Sequence, residues 1–220
     1  MKNKKNRKLI FLVIIMLLTV WLTGCHNNMV VQKYVYNDQN YQMGNMAFTE
    51  DITKIYVDWI IGDVIVQKSN YDELIIRDEV VVELPDDYKM RYYYSNGFLD
   101  IKFTKSMENI NYNFKIKKLY IFVPERLNDI CISVSSESSS IVFKDISCDE
   151  IEIENVSGDV DLQNITNRSV SIETVSGEVY LFNNNINDIE IDTVSGNIGV
   201  TFNEMPNDLT ADSVSGNIKL

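Results

Sequence analysis

The tripeptide Val-Ser-Gly occurs at Val156-Ser157-Gly158 and returns at Val175-Ser176-Gly177, Val194-Ser195-Gly196 and Val214-Ser215-Gly216, at intervals of 19, 19 and 20 residues. A fixed period near 20 demands one structural unit per period, stacked so that each unit buries its neighbour's apolar face. Aligned on their glycines, the repeats also align their apolar residues. One coil carries Ile151, Ile153, Val156, Val160, Leu162 and Ile165, and the next Val170, Ile172, Val175, Val179 and Leu181. Ile189, Ile191, Val194, Ile198 and Val200 follow, then Leu209, Ala211, Val214, Ile218 and Leu220. Ile151 and Ile153 are two apart, as are Val160 and Leu162, which is the period of one face of a strand. The steps of three and four around Val156 break that alternation, so a corner is expected at Ser157-Gly158, with Val156 counted as inward. Glycine suits a corner because it reaches positive φ without a Cβ clash. A second corner is expected between Gln163 and Ser169. The expected fold is all-β: a parallel β-solenoid, that is, a single-stranded, right-handed β-helix with coils about 4.8 Å apart.

The template extends upstream. Ile132, Val134, Ile141, Phe143 and Ile146 lie one 19-residue period before their counterparts, with Ser138-Ser139 in place of Ser-Gly. Ile55, Val57, Ile60, Gly62, Val64 and Val66 repeat the spacing again. The solenoid domain is therefore placed at 51–220, irregular over 51–130 and regular over 131–220. Within the irregular part, Leu74-Ile75-Ile76, Val80-Val81-Val82 and Lys118 to Val123 read as strands, and Pro85-Asp86-Asp87 as a turn. Asn96-Gly97, flanked by alternating apolar residues, signals a hairpin. Tyr92, Tyr93 and Tyr94 are either half-buried strand residues or a sugar-stacking platform.

Residues 1–24 read as a lipoprotein signal peptide. Lys2, Lys4, Lys5, Arg7 and Lys8 precede the apolar run Leu9 to Leu22, which is too short for the ~20 residues of a membrane span. Leu22-Thr23-Gly24-Cys25 resembles a bacterial lipobox. That resemblance implies that Cys25 is diacylated (the palmitate class of lipid anchor) and begins the mature chain, and two acyl chains suffice for stable anchoring. The expected location is extracytoplasmic, lipid-anchored at the cell membrane. Residues 25–50 are polar and aperiodic and read as a tether, with Tyr34, Tyr36 and Tyr41 leaving open a short docked strand.

Charge and composition narrow the chemistry. Cleavage leaves 15 basic against 32 acidic residues, a net charge of −17, which argues against nucleic acid as a partner. His26 is the only histidine, so a His-based triad or His-containing zinc site in the domain is excluded. No Gly-rich phosphate loop is present. No cofactor, metal site or enzymatic activity is expected. Ser157, Ser176, Ser195 and Ser215 form a corner ladder and lack a base that would make them nucleophiles.

Two candidate sites remain. Glu154, Glu173, Asp192 and Asp212 occupy one coil position on the outward face and form an acidic ladder, supplemented by Glu152 and Glu190. The ladder is either a solvated surface or a strip for a cation or basic ligand, an extended cationic peptide being preferred to calcium, which needs six to eight oxygens. Cys131 and Cys148 fall near bonding range, as a disulfide or, the reading preferred, as two free thiols. The chain stops at Leu220 after a second strand, so association through that coil end is a further expectation.

The Val-Ser-Gly coils, together with Leu119-Tyr120-Ile121-Phe122-Val123-Pro124 leading into Ile130-Cys131-Ile132, resemble the bacterial putative-adhesin family, a β-strand-repeat domain of unassigned function, over roughly residues 52–220. The resemblance implies a β-solenoid on an envelope protein and supplies no catalytic residues. Three functions are kept: an adhesin-like interaction domain, preferred, with a cell-wall, protein or cationic peptide partner; an envelope-stress sensor or regulatory ligand-binding lipoprotein; and a carbohydrate-active enzyme.

Overall fold

The computed structural model describes residues 33–81, 83–108 and 117–220. The signal sequence, Cys25 and the first residues of the expected tether lie outside them. In chain order the strands are β1 (Gln42–Met43), β2 (Met46–Phe48), β3 (Lys54–Lys68), β4 (Leu74–Val80), β5 (Arg91–Ser95), β6 (Phe98–Lys102), β7 (Lys117–Val123), β8 (Cys131–Lys144), β9 (Glu150–Ser157), β10 (Val160–Gln163), β11 (Thr166–Ser176), β12 (Val179–Ser195), β13 (Ile198–Phe202), β14 (Asp208–Ser215) and β15 (Ile218–Lys219). The described part is all-β apart from one 3-10 turn, Asp86–Tyr88. Among the described residues no helix is long and apolar enough to cross a membrane.

Strand register gives the architecture. Ile153 pairs in parallel with Val134 on one side and Ile172 on the other, and Ile172 pairs onward with Ile191. On the second wall Val160 pairs with Ile141 and with Val179. Each step is one period of 19 residues, becoming 20 where Ile191 meets Ala211. The result is a solenoid-like stack of parallel coils in which β3, β8 and β12 each run around a corner from one wall to another. Between the walls lies a core of like-on-like aliphatic rows. Ile55, Val57, Val64, Ile141, Ile151, Ile153, Val160, Leu162, Ile172 and Val179 are fully buried.

The corner valines correct the sequence reading. Val156, Val175 and Val194 are only half-buried and Val214 is 83% exposed, whereas Ser136, Asn155, Thr174 and Thr193, each one residue earlier than the valine position, are buried. Alternation is not broken at Ile153. It continues inward to Asn155, and the chain turns only at Ser157-Gly158. The three-residue step between apolar residues concealed a polar inward position. In the first coil that position holds Trp59, which pairs with Ser136 and is fully buried.

Glycine at the corner answers two demands. Gly158 and Gly177 have φ of +111° and +131°, the left-handed region. A Cβ on Gly177 would stand 2.2 Å from the Gly158 carbonyl oxygen, so these two corners approach too closely for a side chain at 177. The second corner uses Asp145, Asn164 and Asn183, each at φ near +54° and 19 residues apart. Asx residues tolerate this conformation better than other side chains. The amide of Asn164 donates to Asp145 at 2.7 Å.

The N-terminal section lengthens both walls with mostly antiparallel strands. β6 pairs with the first half of β3, β5 with β6 through the Asn96-Gly97 hairpin, and β1 with β5. β7 pairs with the second half of β3, β4 with β7, and β2 with β4. Residues 33–50 are therefore not a free tether. Phe48 and Tyr34 are buried, and the Tyr34 hydroxyl donates to the Asp58 carbonyl at 3.1 Å. Their aromatic side chains find an apolar seat that a polar-composition reading does not reveal.

Candidate interaction face and buried polar sites

The register brings the acidic ladder together. Glu154 pairs with Glu173, Glu173 with Asp192, and Asp192 with Asp212, all on the outer face of the first wall. Glu152 and Glu190 flank Ser171 one row over. Among the described residues no group of three or more His, Cys, Asp or Glu side chains is placed to hold a metal ion. The same outer rows run on through Ser133 and Ser135 to Tyr56 and Asp58, and from there to Asp100 and Lys102.

At that end the face becomes aromatic. Tyr41 and Tyr93 lie with ring centroids 5.7 Å apart, and Tyr36 meets Tyr41 edge-on at 4.9 Å. With Asn37, Asn40, Phe98 and Asp100, Tyr41 and Tyr93 line an open cleft of about 300 Å³. Most of the tyrosine hydroxyls are engaged. Tyr36 donates to the Thr104 carbonyl at 2.8 Å, Tyr92 to Gln42 at 2.8 Å, and Tyr41 to the Asp100 carboxylate. Burial raises the phenols of Tyr34, Tyr36 and Tyr41 above their ordinary value, so these groups stay protonated donors. Lys102 sits between Asp58 at 3.2 Å and Asp100 at 3.4 Å and lies 4.8 Å from the Tyr56 ring.

Among the described residues Cys131 and Cys148 are free thiols, Cys148 buried and Cys131 half-buried. Cys131 pairs with Glu150, as the period requires, and its thiol donates to Asp149 at 3.9 Å. Burial, and secondarily the nearby Cys131, pushes the Cys148 thiol up to about 12. It is therefore protonated and unreactive near neutral pH.

Two polar features escaped the sequence reading. The first is the inward ladder of Ser136, Asn155, Thr174 and Thr193. The Asn155 amide donates to the carbonyls of Ser139 and Gly158, both at 3.0 Å, and Thr174 reaches the Ser176 carbonyl at 3.4 Å. Asn155 thus satisfies two corner carbonyls, whereas Ser136 bonds the Ser139 hydroxyl and the Thr193 hydroxyl is buried without a hydrogen-bond partner. The recurrence of Ser, Asn or Thr one residue before each valine position was the available signal. The second is an ion pair. Lys117 has no solvent exposure and its Nζ stands 3.3 Å from Oδ2 of Asp78, whose side chain is 7% exposed. No spacing rule joins residues so far apart in a non-repeating segment.

No curated protein matches this chain. Solved structures similar to it include a "putative cell adhesion protein" from Clostridium sporogenes, at 12% identity and a TM-score of 0.48, covering 81% of this chain and 98% of that one. A "putative adhesin" from Bacteroides fragilis aligns at 15% identity and a TM-score of 0.43, covering 82% and 97%. The family model described as Toastrack DUF4097 matches residues 58–220, which is most of the sequence and all of its regular coils. The chain belongs to the Toastrack DUF4097 family of β-strand-repeat domains.

Proposed function

We propose that the protein is a non-catalytic, adhesin-like interaction module held at the outer surface of the cell membrane by a diacylated Cys25. We also infer that the stack is a single-stranded, right-handed β-helix, the hand that crossovers between parallel strands take in about 98% of cases. The observation that supports the functional reading most is the continuous outer face of the first wall. There the register aligns equivalent side chains into rows, from the tyrosine cluster at one end to Glu154, Glu173, Asp192 and Asp212 at the other. A long, regular face suits an extended partner better than a small substrate. The acidic rows favour a cationic partner such as a basic peptide, and Lys102 keeps the aromatic end from being purely acidic.

The test displays the full-length protein on cells and measures retention on a surface coated with a polylysine-type peptide, at increasing salt. Retention that falls with salt and with Glu154→Gln/Glu173→Gln/Asp192→Asn is expected. Equal retention by the triple variant removes the acidic strip as the contact face. Cys25→Ala should release the protein from membranes; if it stays in the membrane fraction, the lipid anchor is wrong. Isolation of a stable complex with one signalling membrane protein would favour the sensor reading instead.

A further inference from the structure

Lys117 and Asp78 lie on adjacent antiparallel strands, where Asp78 pairs with Leu119 and Val80 with Lys117. Their side chains meet inside the fold rather than at its surface. The Lys117 Nζ stands over two aromatic rings, 4.9 Å from the centroid of Trp59 and 4.3 Å from that of Phe103. An ammonium group has three protons to place. Two are donated, to the Tyr88 carbonyl at 2.9 Å and to the Phe103 carbonyl, and Oδ2 of Asp78 lies 3.3 Å from Nζ as an ion pair. Oδ2 also accepts from the Met90 amide at 3.1 Å, while Oδ1 is buried without a hydrogen-bond partner.

We propose that Lys117 and Asp78 condense to an intramolecular amide that staples β4 to β7. The ion pair holds the two groups 3.3 Å apart. Once a proton passes from Nζ to Asp78, Nζ carries a lone pair beside the carboxyl group. The Nζ–Cγ bond forms, the Cγ–O bond to the protonated oxygen breaks, and one water departs carrying that oxygen, the acid proton and one amine proton. The balance needs no oxidant and no second reactant.

Three physical effects favour the step. Burial draws Lys117 down to about 8 and raises Asp78, so each group moves toward the neutral form that reacts. Fixing both on paired strands supplies the effective molarity that the same groups lack in water. The product replaces a buried charge pair, costly to desolvate, with a neutral amide, and the dry surroundings oppose hydrolysis. The inference stands whether or not the adhesive reading holds, although a cross-link of this kind would suit a protein pulled between a membrane and a partner.

Mass spectrometry of the full-length protein decides it. The expected result is a deficit of one water in the denatured protein and, in a protease digest, a branched peptide joining the segments around Asp78 and Lys117. Both should vanish in Asp78→Ala and in Lys117→Met. An unmodified mass overturns the proposal, as does a water loss mapped to any other peptide. The wild-type digest is decisive alone if either variant fails to fold.

Discussion

The regular coils of residues 131–220 and the section before them solve the same packing problem in opposite ways. In the coils, each residue rests on a near copy of itself. Gly177 sits on Gly158, the Ser157 hydroxyl bonds that of Ser138 at 3.2 Å, and Glu173 pairs with Glu154. In the first section every contact is used once: Trp59 edge-on to Phe103 at 4.9 Å, Lys117 against Asp78, Lys102 between Asp58 and Asp100. A repeated contact must be compatible with itself at every height, which admits small, aliphatic and self-bonding polar side chains. A contact used once can join unlike groups, and buried charges occur where unlike groups can be brought together.

Substitutions can break or sharpen that contrast. The largest loss is expected from Asp78→Ala, which removes the proposed staple and leaves Lys117 buried without its partner, and should cost at least ~3–5 kcal/mol in urea unfolding. The double change Asp78→Leu/Lys117→Met should recover the share due to the unpaired buried charge but not the share due to the staple. A double variant as unstable as the single one would place the whole loss in the cross-link. Next comes Gly177→Val, at ~2–4 kcal/mol, because a positive φ and a backbone oxygen at 2.2 Å are both violated. Gly44 has φ of +93° but nothing within 4 Å of where a Cβ would stand, so Gly44→Ala should cost only ~1 kcal/mol. Equal costs at the two positions would show that close stacking is not what demands glycine in the coils.

A third comparison opposes neighbours. Asn155→Ala strands two corner carbonyls and should cost ~1–3 kcal/mol, whereas Val156→Ala, on the half-buried outer side, should stay near ~0.5 kcal/mol. The reverse order would restore the valine to the core. Smallest of all is Glu173→Gln/Asp192→Asn. Thermal melting should move by the equivalent of less than ~1 kcal/mol, and the difference should shrink as salt rises. A large, salt-independent change would mean that these carboxylates hold the coils together.

This contrast also decides what was legible in advance. Periodicity exposes whatever recurs, so the coil boundaries, the paired aliphatic rows, the alignment of Glu154 with Glu173, Asp192 and Asp212, and the Asn96-Gly97 hairpin followed from the residues alone. Asn155 escapes the same reasoning because hydrophobicity marks the inward side of a strand but not the inside of a sharp corner. There the scarce resource is a hydrogen-bond donor for carbonyls, and a polar side chain supplies it. The docking of residues 33–50 and the meeting of Asp78 with Lys117 were invisible for another reason. Each depends on a single long-range encounter, and one encounter leaves no pattern along a chain.

The slip in register near the start of β12 has a consequence for how such a protein can change over generations. Leu181 pairs with Val200 at an offset of 19, Asn184 with Phe202 at 18, and Asp188 with Asp208 at 20, so one corner takes up a local deletion and insertion while both flanking walls stay aligned. The loop that does this is open, with Met205 79% exposed. Length is thus tightly constrained in the walls and free to vary at this corner. Gene duplication or loss of a whole coil would join at matching heights and leave the remaining contacts intact. The reach of the molecule is then a heritable quantity that can be adjusted in steps of one coil, without redesigning any interface.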